Sequence, residues 1–143
     1  MKVNPIPAGF STVTPYLLAE DADKLLSFLE AAFNAVIQER IAGPQGKTAH
    51  AQVLIGNSIV MVGGKPGTAS NESMLYLYVE DTDAVYHQAI AAGATSILEP
   101  VNQFYGDRNA AVKDCCGHQW WIATHVEDVS KEELEIRAKK MHG

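Results

Sequence analysis

The chain has little that would send it to a nucleic acid, a membrane or an oxidising compartment. Lysine and arginine number 11 against 17 aspartates and glutamates, and the resulting formal charge of −6 includes no basic block. That balance argues against the phosphate-tracking surface that nucleic acids and anionic lipids attract, and leaves a neutral or cationic small ligand open. Long apolar runs are also missing: none approaches membrane-spanning length, and the first ten residues hold no signal-like apolar core. A cytoplasmic location is the expectation. Cysteine occurs only at Cys115 and Cys116, an adjacent spacing poorly suited to ordinary disulfide geometry, so reduced thiols are expected.

What is present is an internal echo. Tyr16 to Ile37 reads YLLAEDADKLLSFLEAAFNAVI, and 60 residues later Tyr76 to Ile97 reads YLYVEDTDAVYHQAIAAGATSI. Tyr16/Tyr76, Glu20/Glu80, Asp21/Asp81, Asp23/Asp83 and Ala31/Ala91 are among the matched pairs. A period of that length exceeds the common solenoid repeats and points to two copies of a supersecondary unit with a cleft between like halves.

Each copy carries the same order of local signals. In the first, Ser11 to Ala19 predicts a strand, and Asp21 opens a helix with Leu25, Leu26, Phe28, Leu29, Ala32 and Phe33 at helical spacing. Strands follow at Ala35 to Ala42, Lys47 to Ile55 and Ser58 to Gly63, separated by turn signals at 43–46 and 56–57. In the second, Met74 to Glu80 predicts a strand and Asp81 to Ala92 a helix stopped by Gly93. Strands are then expected near Thr95 to Glu99, Arg108 to Asp114 and His118 to Val126, before a charged helix opened by the Ser130/Glu133 capping box. The reading is one domain over 1–143: module one at about 10–63, a linker at about 64–73, module two at about 74–126 and a C-terminal helix at about 130–142.

This order resembles the vicinal oxygen chelate superfamily, which includes glyoxalase I, extradiol dioxygenases and bleomycin-resistance proteins. The carriers are Ala19-Glu20-Asp21 and Val79-Glu80-Asp81 at the helix starts, Tyr105-Gly106-Asp107-Arg108, the Asp114-Cys115-Cys116-Gly117 turn, and the tail from Trp121 to Ser130. The resemblance covers nearly the whole chain and is nearest to the PhnB-like branch. It departs at Cys115, where members usually carry proline. It implies an α+β fold of two tandem βαβββ modules, with a curved, cup-like mixed sheet, helices outside and a C-terminal helix. It also implies a homodimer with clefts shared between chains.

Enzymes of the superfamily hold a divalent metal with one side chain from the first strand and one from the last strand of each module. The matching positions here are Thr14 and Met74, then Val60 or Met61, and Trp120 or Trp121. None offers imidazole, carboxylate or thiolate, so no metal and no other cofactor is expected at the inherited site. Thr14, Met61, Met74 and Trp121 either contact an apolar or aromatic ligand or fill the cup. His50 and Gln52 alternate with Ala49, Ala51, Val53 and Ile55, so both are expected to point into the cup if the apolar face packs on the helices. His50 is then the one candidate for catalysis as a general base, or a hydrogen-bonded strand histidine. Tyr105 could close over a ligand. Arg108 could clamp an anion, or pin the loop by pairing, perhaps with Asp114.

Three functions fit these residues: a metal-free binder of a small organic ligand in the inter-module cleft, a lyase, isomerase or dioxygenase-type enzyme around His50, Gln52 and Tyr105, with metal or without, and a structural or partner-binding member with a filled cup.

Overall fold

The structure, a computed structural model, describes residues 3–65, 67 and 72–142. Residue 66 and residues 68–71, the middle of the expected linker, lie outside the described residues. In chain order the elements are β1 (Tyr16–Ala19), α1 (Ala22–Phe33), β2 (Val36–Ala42), β3 (Thr48–Ile55), β4 (Ser58–Gly64), β5 (Met74–Tyr78), α2 (Thr82–Ala91), β6 (Thr95–Asn102), β7 (Asp107–Lys113), β8 (Gln119–His125) and α3 (Lys131–His142). The strands form two four-stranded mixed sheets, ordered β1-β4-β3-β2 and β5-β8-β7-β6. In each, the first strand runs parallel to the last of its module and the other pairings are antiparallel. The fold is therefore α+β with two tandem βαβββ modules.

The matched aspartates perform matched work. Asp21 and Asp81 cap their helices, accepting from the amides of Lys24 and Ala84 at 3.1 Å each, which satisfies a donor the helix start leaves orphaned. Asp23 and Asp83, inside the first turns, bind the helices to their sheets. Asp23 takes Arg40 of β2 together with the hydroxyl and amide of Thr48. Asp83 takes Arg108 of β7 in a two-pronged pair, Nε to Oδ1 at 2.7 Å and Nη2 to Oδ2 at 2.9 Å.

Both helices pack on one face of the sheets. α1 buries all six apolar positions read from its spacing. Ala51, Val53, Val60 and Val62 meet it from sheet one, and Ala110, Val112, Trp120 and Ile122 join the same core from sheet two. The halves are joined where Phe33 meets Trp120 with ring centroids 4.9 Å apart, and where the Gln88 amide donates to the Ala31 carbonyl at 2.9 Å. Buried His118 completes the seam, with Nε2 3.0 Å from the Leu18 carbonyl. α3 docks through Arg137, which donates to the Phe104 carbonyl and to Glu127.

Two strand boundaries differ from expectation by three residues or more. β1 begins at Tyr16 and not Ser11, because Pro15 has no amide to give and Thr14 turns its hydroxyl back to the Ser11 carbonyl at 3.3 Å. β6 continues past Glu99 to Asn102. It tolerates Pro100 because it is an edge strand with a register shift between Leu98 and Val101.

Candidate functional site

Strand alternation gives each sheet a face turned away from the helices, and most of the sequence-predicted residues lie there. On sheet one, Tyr16, Met61 and Gln52 sit side by side across β1, β4 and β3, and His50 lies opposite Gly63. A Cβ on Gly63 would stand 2.7 Å from the Tyr16 hydroxyl, so its bare backbone leaves room for the tyrosine ring to cross the sheet. Tyr16 Oη lies 3.3 Å from His50 Nδ1. Gln52 donates to Gln38 at 2.8 Å.

On sheet two, Met74, Tyr76 and Tyr78 alternate along β5, with Tyr76 beside Trp121 and Tyr78 beside Ala123. Beneath them lies a polar floor. Asp107, 4% exposed, accepts from Tyr76 at 2.7 Å and Tyr78 at 2.9 Å through Oδ2, and its Oδ1 lies 3.0 Å from His125 Nδ1. Asn109, fully buried, donates to Tyr76 at 3.1 Å and Tyr105 at 2.8 Å and accepts from Gln103 at 2.9 Å. The second ring nitrogen of His125 lies 2.7 Å from Asp128.

This network sets the charges. Burial alone would raise the Asp107 carboxyl, but hydrogen bonds from His125, Tyr76 and Tyr78 outweigh it and hold the group below its ordinary range. The two carboxylates facing His125, Asp107 first, raise its basicity. Tyr76 is pushed well above the ordinary phenol range, chiefly by burial, and stays a neutral donor. The result is an anionic centre roofed by phenols.

Arg108 is the residue the structure removes from this face. It follows Asp107 on β7 and so points the other way, to Asp83 on the helix side. It pins a helix to the sheet, and its partner is Asp83 and not Asp114. Asp114 instead accepts from the amides of Cys116 and His118 and from the Trp120 indole. Thr14 precedes β1, and its hydroxyl donates to the Ser11 carbonyl. Among the described residues the cup is not filled: Met74 is 62% exposed and Tyr78 63%, and Met61 and Trp121 are only half-buried.

The same parity resolves the metal positions. Val60 and Trp120 belong to the core, leaving Met61 and Trp121 on the open face. Thr14, Met61, Met74 and Trp121 thus offer a hydroxyl, two thioethers and an indole N–H that cannot accept. That set does not fit the superfamily's divalent metal.

Residue-by-residue reasoning missed Asp107, Asn109, Tyr78 and His125 as a unit. The available signal was the Tyr76-Leu77-Tyr78 alternation, which sets two phenols on one face. Two cavities border Tyr76 at the seam between modules. One of about 540 Å³ is lined by Phe33, Asn34, Ile55, Asn57 and Tyr78 among others. The other, about 370 Å³, lies between β1 and β5 and includes Met74. Of the eight predicted contact residues, only Met74 lines either, because the remaining ones lie on sheet faces or loops away from the seam.

Two duplicated modules, each with one sheet face left open, define a protein of tandem βαβββ architecture. Residues 10–122 match the model of the Glyoxalase/Bleomycin resistance protein/Dioxygenase superfamily, and the chain belongs to that family. Uncharacterized protein Mb0911c of Mycobacterium bovis is 33% identical over 147 aligned residues, covering 94% of each chain. Among solved structures, TioX from Micromonospora sp. ML1 superposes with a TM-score of 0.69 at 28% identity, over 81% of this chain and 99% of TioX. A Bacillus cereus PhnB protein, a putative 3-demethylubiquinone-9 3-methyltransferase by name, shares the fold with a TM-score of 0.62 at 17% identity, over 80% and 99% of the two chains. No helix among the described residues is long and apolar enough to cross a membrane.

Proposed function

We propose that this protein binds a small, neutral or cationic organic ligand between its modules, without the superfamily's metal. The observation that carries the reading is the composition of the sheet-two face: exposed Met74 and Tyr78, with Tyr76 and Trp121, over a carboxylate and an amide whose own hydrogen bonds are satisfied. Such a surface offers aromatic and thioether area for stacking, and a buried negative charge that favours a cation. The formal charge of −6 acts in the same direction. His50, Gln52, Met61 and Tyr105 contribute contacts at the margins.

Each open face supplies half a cleft. A homodimer that sets module one of one copy over module two of another would cover the exposed Met74 and Tyr78 and close the cavity. Two free cysteines suit a reducing cytoplasm. The test is titration with bleomycin and with a panel of planar organic cations, read by the fluorescence of Trp121 in a Trp120→Phe background and by calorimetry, with light scattering for the assembly. Saturable binding weakened by Tyr78→Ala and Trp121→Ala supports the proposal; a monomer that binds none of the panel overturns it.

The Tyr16–His50 contact supports a second reading, an enzyme using His50 as general base. Turnover of any panel compound that disappears in His50→Ala, with binding retained, would favour it.

A further inference from the structure

The Asp114-Cys115-Cys116-Gly117 turn lies at the opposite end of β7 from Asp107, and no role proposed above uses its thiols. Gly117, at φ +90°, completes the turn, and the Asp114 carboxylate anchors it from below by accepting from the Cys116 and His118 amides and the Trp120 indole. The two sulfurs are held 3.6 Å apart without a bond between them.

We propose that Cys115 and Cys116 chelate one thiophilic divalent cation of the zinc class, at a site separate from the open sheet faces and from the superfamily's metal positions. Two metal–sulfur bonds of about 2.3 Å to sulfurs 3.6 Å apart subtend an angle of about 100°, close to tetrahedral. Asp114 places a carboxylate oxygen within 4.8 Å of both sulfurs. Its Oδ1 is taken up by the two amides, but Oδ2 accepts only from the Trp120 indole and keeps a lone pair. The dithiol opens onto a cavity of about 490 Å³ whose walls include Glu20, Asp21 and Glu72 against Lys24 and Lys47. Three carboxylates against two ammonium groups leave a negative wall, which suits a cation and leaves the fourth coordination position to water or a carboxylate.

Binding removes one proton from each thiol: two S–H bonds break, two metal–sulfur bonds form and two protons enter solvent. Burial pushes the Cys116 thiol up to about 12 and raises Cys115 in the same sense. Without a cation both sulfurs are therefore neutral and poor nucleophiles at neutral pH. The protons therefore compete with the cation, so binding strengthens as pH rises and proton release is the signature to measure.

The experiment is titration of the reduced full chain with Zn²⁺ and Cd²⁺. It is read by the ultraviolet thiolate-to-cadmium charge-transfer band, by calorimetry in buffers of different ionisation enthalpy, and by thermal melts of every variant. One ion per chain with release of two protons is expected. Cys115→Ala and Cys116→Ala should each weaken binding more than about tenfold, and the double substitution should abolish the charge-transfer band. Melting temperatures of the metal-free variants should stay near that of the parent, since Cys115 is exposed and Cys116 half-buried. Undiminished one-equivalent binding in the folded double variant, release of fewer than two protons, or no binding of either ion by the reduced parent would overturn the proposal. Binding of organic cations at the open face should be the same in parent and double variant.

Discussion

The two modules share a scaffold and differ in what they place on it. In module one Tyr16 is level with Met61 and Met61 with Gln52; in module two Tyr76 is level with Trp121 and Trp121 with Ala111. Two positions earlier on the third strand, His50 therefore corresponds to Asn109, and each side chain meets the tyrosine of its own module, at 3.3 and 3.1 Å. The repeated tyrosine keeps its neighbour relation while the neighbour changes chemistry. Around Asn109 the second module has also gained Asp107, Tyr78, Tyr105 and His125; the corresponding face of the first has one loose contact and a glutamine pair. Duplication preserved backbone register, which every core residue enforces, and left the open faces free to diverge.

The sharpest way to break this asymmetry is to remove its hub. Asp107→Ala strands the hydroxyls of Tyr76 and Tyr78 and one nitrogen of His125, and is expected to cost about 2–4 kcal/mol in urea unfolding. His50→Ala in module one should cost less than about 1 kcal/mol in the same assay. Equal losses would mean that the two faces are energetically alike.

The helix-pinning aspartates give a smaller contrast. Asp23 holds Arg40 and two groups of Thr48, and Asp83 holds Arg108 alone. Both pairs are more than a third exposed, so solvent screens them. Asp23→Ala is expected to cost about 1–2 kcal/mol and Asp83→Ala less than that. Hydrogen bonds from Thr48, then Arg40, lower the Asp23 carboxyl to about 2. Its contribution is thus present above the unfolded value near pH 4 and fades as pH falls toward 2. An acid melt of Asp23→Asn should lack that component.

His125 titrates with the opposite sign. Its basicity is raised by Asp107 and Asp128, so the stability it adds is full below about pH 6.5 and is lost as pH rises through its folded value. Proton NMR should find the His125 midpoint above that of a free histidine and returned toward it by Asp107→Asn; an unshifted midpoint in the parent would exclude the ion pair. The smallest effect is steric. Gly63→Ala should push the Tyr16 ring away from His50, since the added carbon would meet the hydroxyl at 2.7 Å. Module two already carries Ala123 at the corresponding position. A loss below about 1 kcal/mol, with nuclear Overhauser contacts between Tyr16 and His50 abolished, is the expected pattern.

Much of the architecture was legible because it is local. Helical spacing in Leu25 to Phe33 and alternation in Ala49 to Ile55 report a buried side wherever they occur. The faces of His50 and Gln52 followed from their own strand. The site on module two was not legible in the same way. The expected strand opens at Arg108 and leaves Asp107 outside it, where a side chain has no parity; once both belong to β7, one must face the phenols and the other the helix.

By itself, then, the sequence determined the duplication, the helix starts, the inward and outward sides of β3, and the non-ligand character of Thr14, Met61, Met74 and Trp121. These depend on residue identity and short spacing. Tertiary structure decided which charges meet. Asp107 gathers Tyr76 from 31 residues away, Tyr78 from 29 and His125 from 18, and Arg108 reaches Asp83 from 25. Such partners are chosen by strand order and pairing register, quantities that no short window of the chain contains.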